Sequence, residues 1–217
     1  MADITIYLGN KNYSSWSLRG WLMLKASGLE FDEVVIALDE PTTRETVLRH
    51  SPSGRVPAIK NGEQTVWDTL AIGEYLNELA PEAGLWPADP AARALARSVS
   101  AEMHSGFEGL RSHFPMNMRS TFGDRPPTPA AQADINRIAA IWRDCRRRFG
   151  GTGEFLFGEF TIADAMYAPV VSRFRTYKIT ADEVAQAYGD AIWNLPAMQE
   201  WLQAAKKEPM VIPYAEF

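Results

Sequence analysis

A chain of 217 residues, 46% hydrophobic and 23% charged, has the length for one large domain or two small ones and the composition of a globular protein with a real core. Its formal net charge of -5 excludes the basic footprint that nucleic-acid binding needs, and gives no reason to expect an anionic membrane surface as partner. One cysteine, Cys145, and three histidines without metal-ligand spacing, His50, His104 and His113, exclude an intrachain disulfide and a Cys/His metal cluster.

The start, Met1-Ala2-Asp3-Ile4-Thr5, has no basic stretch followed by an apolar region, so no secretory signal is read. Nor does any apolar run approach the ~18 residues of a membrane span. A soluble protein in the cytoplasm is the expectation. Residues 4–8 are rich in β-formers and read as a buried strand. After a polar segment, residues 16–26 carry apolar side chains at helical spacing, with Ser14 or Ser15 as N-cap and Gly28 closing the helix. A second strand is expected over 33–38 and a polar helix over 41–50. Two short β-rich runs, 56–59 and 64–67, flank Asn61-Gly62, a strong hairpin signal, and residues 70–79 read as a helix.

This order, strand-helix-strand-helix and then hairpin and helix, predicts a small mixed α/β sheet whose first two strands are parallel with a right-handed crossover. Pro81, Gly84, Pro87 and Pro90 mark residues 81–90 as a linker. Beyond it β signals nearly vanish. Helices are expected over 91–114, as one long helix, and over 130–149, 161–175, 181–188 and 196–206. The expectation is an α/β domain over 1–80 and an all-α domain over 91–217.

Three segments could carry chemistry. Ser14-Ser15 lies where free N–H groups and the positive helix end favour an anion, and a hydroxyl there can donate to a thiolate. Such an environment lowers a thiol pKa from its usual ~8.5; the same serines also read simply as a helix cap. In Ser53-Gly54-Arg55-Val56-Pro57, a proline entering a strand belongs at a turn or a cis bond. If cis, it leaves the Val56 backbone free to pair with an extended, peptide-like ligand. Asp68-Thr69, directly after the hairpin, can face an ammonium and a carboxylate of an amino-acid-like group, or serve as an N-cap. A fourth segment, Thr161 to Asp164, has the pattern of a capping box and is read as structural. On the helix after the linker, Met103, Phe107, Leu110 and Phe114 form a core face. His104, Glu108 and Arg111 share another face, which reads as a polar surface with ion pairs or as the lining of a cleft.

Taken in order and spacing, these segments resemble the cytosolic glutathione transferases, over residues 4 to about 205. Ser14-Ser15-Trp16-Ser17-Leu18-Arg19 is similar to the serine motif of the zeta class. Ser51 to Pro57 resembles the segment ending in the family's cis-proline. Asp68 to Leu76 is similar to the helix start that holds the γ-glutamyl group, and Phe157 to Asp164 to the family's C-terminal capping box. The resemblance implies a thioredoxin-like N-terminal domain with a mixed four-stranded sheet, an all-helical C-terminal domain, and glutathione as co-substrate with no metal. It implies Ser14 as the thiolate-stabilising residue, with Ser15 as runner-up. Val56 and Pro57 would hold the cysteinyl backbone, Asp68 and Thr69 the γ-glutamyl end, and Arg55 a ligand carboxylate. Trp16, His104, Glu108 and Arg111 are candidates for the acceptor side. Tyr7, which sits inside the apolar run, is read as core.

The segment departs from the zeta motif at Trp16, where that motif has cysteine, and at Gly20 and Trp21. This speaks against maleylacetoacetate isomerisation, and the missing cysteine nucleophile against thiol-transferring types. The first expectation is therefore a homodimeric, detoxifying glutathione transferase that adds the thiolate to a small hydrophobic electrophile. The rivals are a glutathione-dependent isomerase or peroxidase, and a non-catalytic binding module on the same fold.

Overall fold

The computed structural model describes residues 3–123 and 125–217. Strand β1 (Ile4–Leu8) lies inside the sheet and pairs in parallel with β2 (Phe31–Val35) and antiparallel with β3 (Ala58–Asn61). β3 pairs antiparallel with β4 (Gln64–Trp67), giving the order β2-β1-β3-β4. Ile4, Ile6 and Leu8 alternate onto the face packed against the helices, as the two-residue period of a strand dictates. Tyr7 falls on the other face. It is only half-buried and stacks on His50 with ring centroids 4.1 Å apart, so it is not the core residue expected.

Two strands shift from their expected places. The second runs over Phe31–Val35 rather than 33–38, because its register is set by the five residues of β1, from Ile4 opposite Phe31 to Leu8 opposite Val35. The third begins at Ala58, since Pro57 has no N–H to give the ladder, and the Val56-Pro57 bond before it is cis. The polar helix α2 is short, Thr43–Leu48.

Helix α1 (Ser15–Ser27) starts on Ser14, whose side chain accepts the Ser17 N–H, and ends at Gly28 in the left-handed conformation at φ 72°. A Cβ on Gly20 would stand 3.0 Å from Pro57 Cγ, so the bare glycine lets α1 lie directly against the cis-proline loop. α3 (Thr69–Leu79) starts on Asp68.

The helical part opens with a difference. The expected single helix over 91–114 is broken into α4 (Pro90–Ser105) and α5 (Glu108–His113). At the break Gly106 is extended and Phe107 adopts φ 58°. The redirected α5 lies so close to α6 (Pro129–Phe149) that a Cβ on Gly109 would meet the Ala130 carbonyl carbon at 2.7 Å. Asp134 of α6 accepts the Leu110 N–H at 2.9 Å, satisfying a donor freed by the new helix start. Met103, Phe107, Leu110 and Phe114 are buried as expected, since the break turns the chain without lifting it from the core.

Helix α7 (Ile162–Thr176) runs through the centre and is buried along nearly its whole length, against α1, α4 and α8 (Glu183–Asn194). Its start is fixed by Asp164, whose carboxylate accepts from Thr161 N–H at 2.8 Å, Thr161 Oγ1 at 2.9 Å and Leu156 N–H at 3.1 Å. α8 extends beyond the expected 181–188, and α9 (Pro196–Lys207) is followed by a segment that returns over the β1–α1 loop. The architecture is a thioredoxin-like N-terminal domain with a mixed four-stranded sheet, joined to a helical C-terminal domain. Among the described residues no helix is long and apolar enough to cross a membrane.

Candidate active site

The β1–α1 loop carries polar residues yet is buried, with Asn10 and Asn12 at 0% exposure. Burial on this scale requires partners for its backbone groups, and the C-terminal end of the chain and the segment around Met118 supply them. Glu208 accepts the N–H groups of Lys11 and Asn12 at 2.6 and 3.0 Å, Met118 N–H donates to the Asn12 carbonyl, and Trp201 Nε1 donates to the Lys11 carbonyl. Arg119 donates to Tyr13 Oη at 2.8 Å and to Glu216 at 3.1 Å, and Tyr13 Oη itself donates to Glu216. The loop is thereby held rigidly enough to present Ser14 in one place.

Two cavities adjoin at Ser14. The first, about 780 Å³, is lined by Ser14, Arg55, Val56, Pro57, Asp68, Thr69 and His104 among others. The second, about 530 Å³, is lined by Tyr13, Ser14, Ser15, Glu108, Arg111 and Arg173 among others. Ser14, Trp16, Leu38 and Arg111 border both. A larger cavity of about 890 Å³ lies elsewhere, between α1, the segment before α4, and α9, and contains none of the residues singled out for chemistry.

Ser14 Oγ donates to Ser17 Oγ at 2.8 Å and accepts the Ser17 N–H at 3.3 Å. Ser15 borders the second cavity only. Across the first cavity, neither the N–H nor the carbonyl of Val56 is taken up by another described residue. Asp68 is held at φ 75°, a conformation costly for a residue with a Cβ, and such strain concentrates at sites with a task.

The Asp68 carboxylate caps α3 through Leu70 N–H at 3.0 Å and approaches His104 Nε2 at 3.2 Å. Thr69 Oγ1 lies 3.4 Å from His104 Nδ1. Burial holds His104 below its usual pKa, opposed by the neighbouring Asp68 carboxylate and reinforced by Arg19 and Arg111. The neutral tautomer with the proton on Nε2 satisfies both contacts, donating to Asp68 and accepting from Thr69.

Trp16 stands edge-on to His104 at 5.0 Å, with the Arg19 and Arg111 guanidiniums 4.8 and 5.3 Å from its ring centre. Arg19 and Arg173 are buried, at 0% and 4% exposure. Burial pulls them down to about 9 and about 10, so both remain cationic at neutral pH. Arg19 Nε donates to the Met166 carbonyl at 3.0 Å while its Nη1 has no partner among the described residues. Arg173 donates to the carbonyls of Phe114 and Pro169, and Arg111 to that of Gly106. Among the described residues none of the three faces a carboxylate within ion-pair distance. Buried cations without counter-charge are expensive to keep, so the second cavity, lined by Arg111 and Arg173, favours an anion.

Every candidate site residue, Ser14, Ser15, Trp16, Arg55, Val56, Pro57, Asp68, Thr69, His104, Glu108 and Arg111, borders one of these two cavities. Sequence reasoning missed Tyr13, Arg173 and Ser17. Arg173 had a signal, a charge just after the apolar run from Ala165 to Val171. Tyr13 and Ser17 had none, because their contacts come from the far end of the chain and from the end of β1.

Residues 13–79 match the family model for the glutathione S-transferase N-terminal domain, and residues 128–204 that for the C-terminal domain. The chain belongs to the glutathione S-transferase family. It is 33% identical to a zeta-class glutathione S-transferase of Euphorbia esula over 73% of this chain and 71% of that one. It is 29% identical to maleylacetoacetate isomerase of Rattus norvegicus over 80% and 79% respectively. A glutathione transferase homologue from Burkholderia GL BGR1, solved with bound glutathione, superposes with a TM-score of 0.68 at 25% identity, covering 94% of this chain and 99% of that one. The likeness is thus to zeta-type members of the family.

Proposed function

We propose that this protein is a glutathione-dependent enzyme in which Ser14 stabilises the glutathione thiolate for attack on an electrophile held in the second cavity. The observation that carries this reading is the position of Ser14 at the N-terminus of α1, on the wall common to both cavities. Glutathione laid along the first cavity sets its cysteinyl backbone against Val56, its γ-glutamyl end at Asp68 and Thr69, and a carboxylate within reach of Arg55. Its sulfur then faces Ser14 and the second cavity. The helix end and the serine hydroxyl favour the charged sulfur, and proximity does much of the rest. The Burkholderia homologue with bound glutathione supports the choice of ligand.

The guanidiniums of Arg111 and Arg173 narrow the acceptor. Rather than a purely hydrophobic electrophile, it is one that carries a carboxylate beside its reactive carbon, set against the rings of Tyr13 and Trp16. The same feature favours a second reading, isomerisation. In that case sulfur adds to an activated double bond, the resulting single bond rotates, and sulfur leaves again with glutathione regenerated. The relative named maleylacetoacetate isomerase supports this alternative, while Trp16 in place of the zeta cysteine argues for the first.

Ultraviolet difference absorbance of bound glutathione across pH tests the mechanism. A thiolate signal at neutral pH that Ser14→Ala abolishes and Ser15→Ala leaves intact is expected. Glutathione binding with no thiolate signal would sink the mechanism, and no binding at all would turn the reading to a non-catalytic module. With an unsaturated carboxylic acid as acceptor, glutathione consumed in step with product marks a transferase, and glutathione conserved marks an isomerase. The family's usual twofold dimer is the expected assembly.

A further inference from the structure

Ser17 occupies a position that capping does not require. A helix N-cap needs only the Ser14 oxygen and a backbone N–H to bond with it. Here the third residue of α1 also has a hydroxyl, fully buried, with its Oγ accepting the Gly9 N–H at 2.8 Å and lying 2.8 Å from Ser14 Oγ. Gly9 directly follows β1, and a Cβ there would stand 2.5 Å from Leu38 Cδ1, so the Leu38 side chain packs directly on the donor's backbone. Among the described residues Ser15 has no comparable side-chain bond, although it is as buried as Ser14.

We propose that Ser17 is the positioning residue that makes Ser14 a strong donor, through a hydrogen-bond relay from Gly9 N–H to Ser17 Oγ to Ser14 Oγ and on to the ligand sulfur. A hydroxyl has one proton and two acceptor sites. With no sulfur present, the Ser14 proton points inward to Ser17. When a thiolate occupies the cavity, the Ser14 proton turns outward to the sulfur and the Ser17 proton turns to Ser14 Oγ, while Gly9 N–H stays on Ser17. No bond is lost in the exchange and no proton changes its oxygen. Ser14 Oγ then accepts from both the N–H and the O–H of Ser17, and each bond in such a chain polarises the next. The relay also separates two adjacent serines, because only Ser14 lies on it.

This inference rests on the reading of Ser14 as the thiolate partner, and the test keeps the two apart. The titration of bound glutathione is followed by thiolate absorbance in wild type, Ser14→Ala, Ser17→Ala, Ser17→Thr and the Ser14→Ala/Ser17→Ala double variant, with glutathione affinity measured calorimetrically. Ser17→Ala is expected to bind glutathione while raising its thiol pKa by about one unit. Ser17→Thr, which keeps the hydroxyl, restores the lower value, and the double variant titrates like Ser14→Ala alone, since Ser17 acts only through Ser14. A wild-type titration in Ser17→Ala beside a raised one in Ser14→Ala overturns the relay but leaves the role of Ser14 standing. So does an undiminished Ser17→Ala effect in the Ser14→Ala background. An unchanged titration in Ser14→Ala overturns both. Should the alanine variant not fold, Ser17→Cys, with only a weak S–H donor, repeats the test through the pH profile of turnover.

Discussion

Glu208 joins the C-terminal end of the chain to the loop that presents Ser14, and its removal gives the sharpest test of how that loop is held. Its carboxylate accepts the N–H groups of Lys11 and Asn12 at 2.6 and 3.0 Å, and those two residues are 6% and 0% exposed. In Glu208→Ala both donors lose a charged acceptor and water has poor access to replace it. Leaving one buried donor unsatisfied costs about 1–3 kcal/mol. Glu208 itself is partly exposed, so some water enters, and a total loss of about 2–3 kcal/mol is expected. For a chain of this size that corresponds to a drop in Tm of roughly 5–10 °C. Glu208→Gln keeps one acceptor oxygen and is expected to lose about half as much. Equilibrium denaturation in urea, followed by tryptophan fluorescence and far-ultraviolet circular dichroism, measures the change. A Glu208→Ala protein within about 0.5 kcal/mol of wild type would refute the reasoning, since surface changes without such a mechanism fall in that range. The loosened loop should also raise the KM for glutathione, because Ser14 would no longer be held in one place.

Other consequences can be checked independently. Gly20→Ala brings a methyl within 3.0 Å of Pro57 Cγ, and overpacking of this kind costs about 1–3 kcal/mol; lowered stability with weakened glutathione binding is expected, measured by denaturation and calorimetry. His104→Ala leaves Asp68 and Thr69 without their side-chain partner and should raise the KM for glutathione with little change in kcat, as steady-state kinetics will show. Because His104 sits below its usual value of 6.5, the unfolded chain takes up a proton there that the folded chain resists. Its contribution to stability is therefore present above that pH and is lost as pH falls below it. Urea midpoints compared between wild type and His104→Gln should show a steeper fall in wild type. Cys145 is buried and its thiol is pushed up to about 12, mainly by burial, so an alkylating reagent at neutral pH should label it only as fast as the protein opens.

Local signals carried much of this protein. The run of β-formers at 4–8, the Asn-Gly pair at 61–62 and the serine at the start of α1 act between near neighbours, so the sequence alone places them. Val56-Pro57, Asp68-Thr69 and Thr161 to Asp164 were legible for the same reason: a missing N–H or a side chain that reaches its own backbone is a local matter. Tertiary structure decided what depends on distant partners. The 91–114 helix breaks because α5 must seat its Gly109 against Ala130, a contact invisible to periodicity. β2 lies where β1 pairs with it, not where its own β-formers end. Only the packing of α1 against α7 brings Arg19 near Arg173, and only the returning C-terminus ties Tyr13 to Glu216. The segments that line the two cavities could thus be read one at a time. Their charge balance could not, because it is a sum over helices whose approach is fixed by the packing of the whole core.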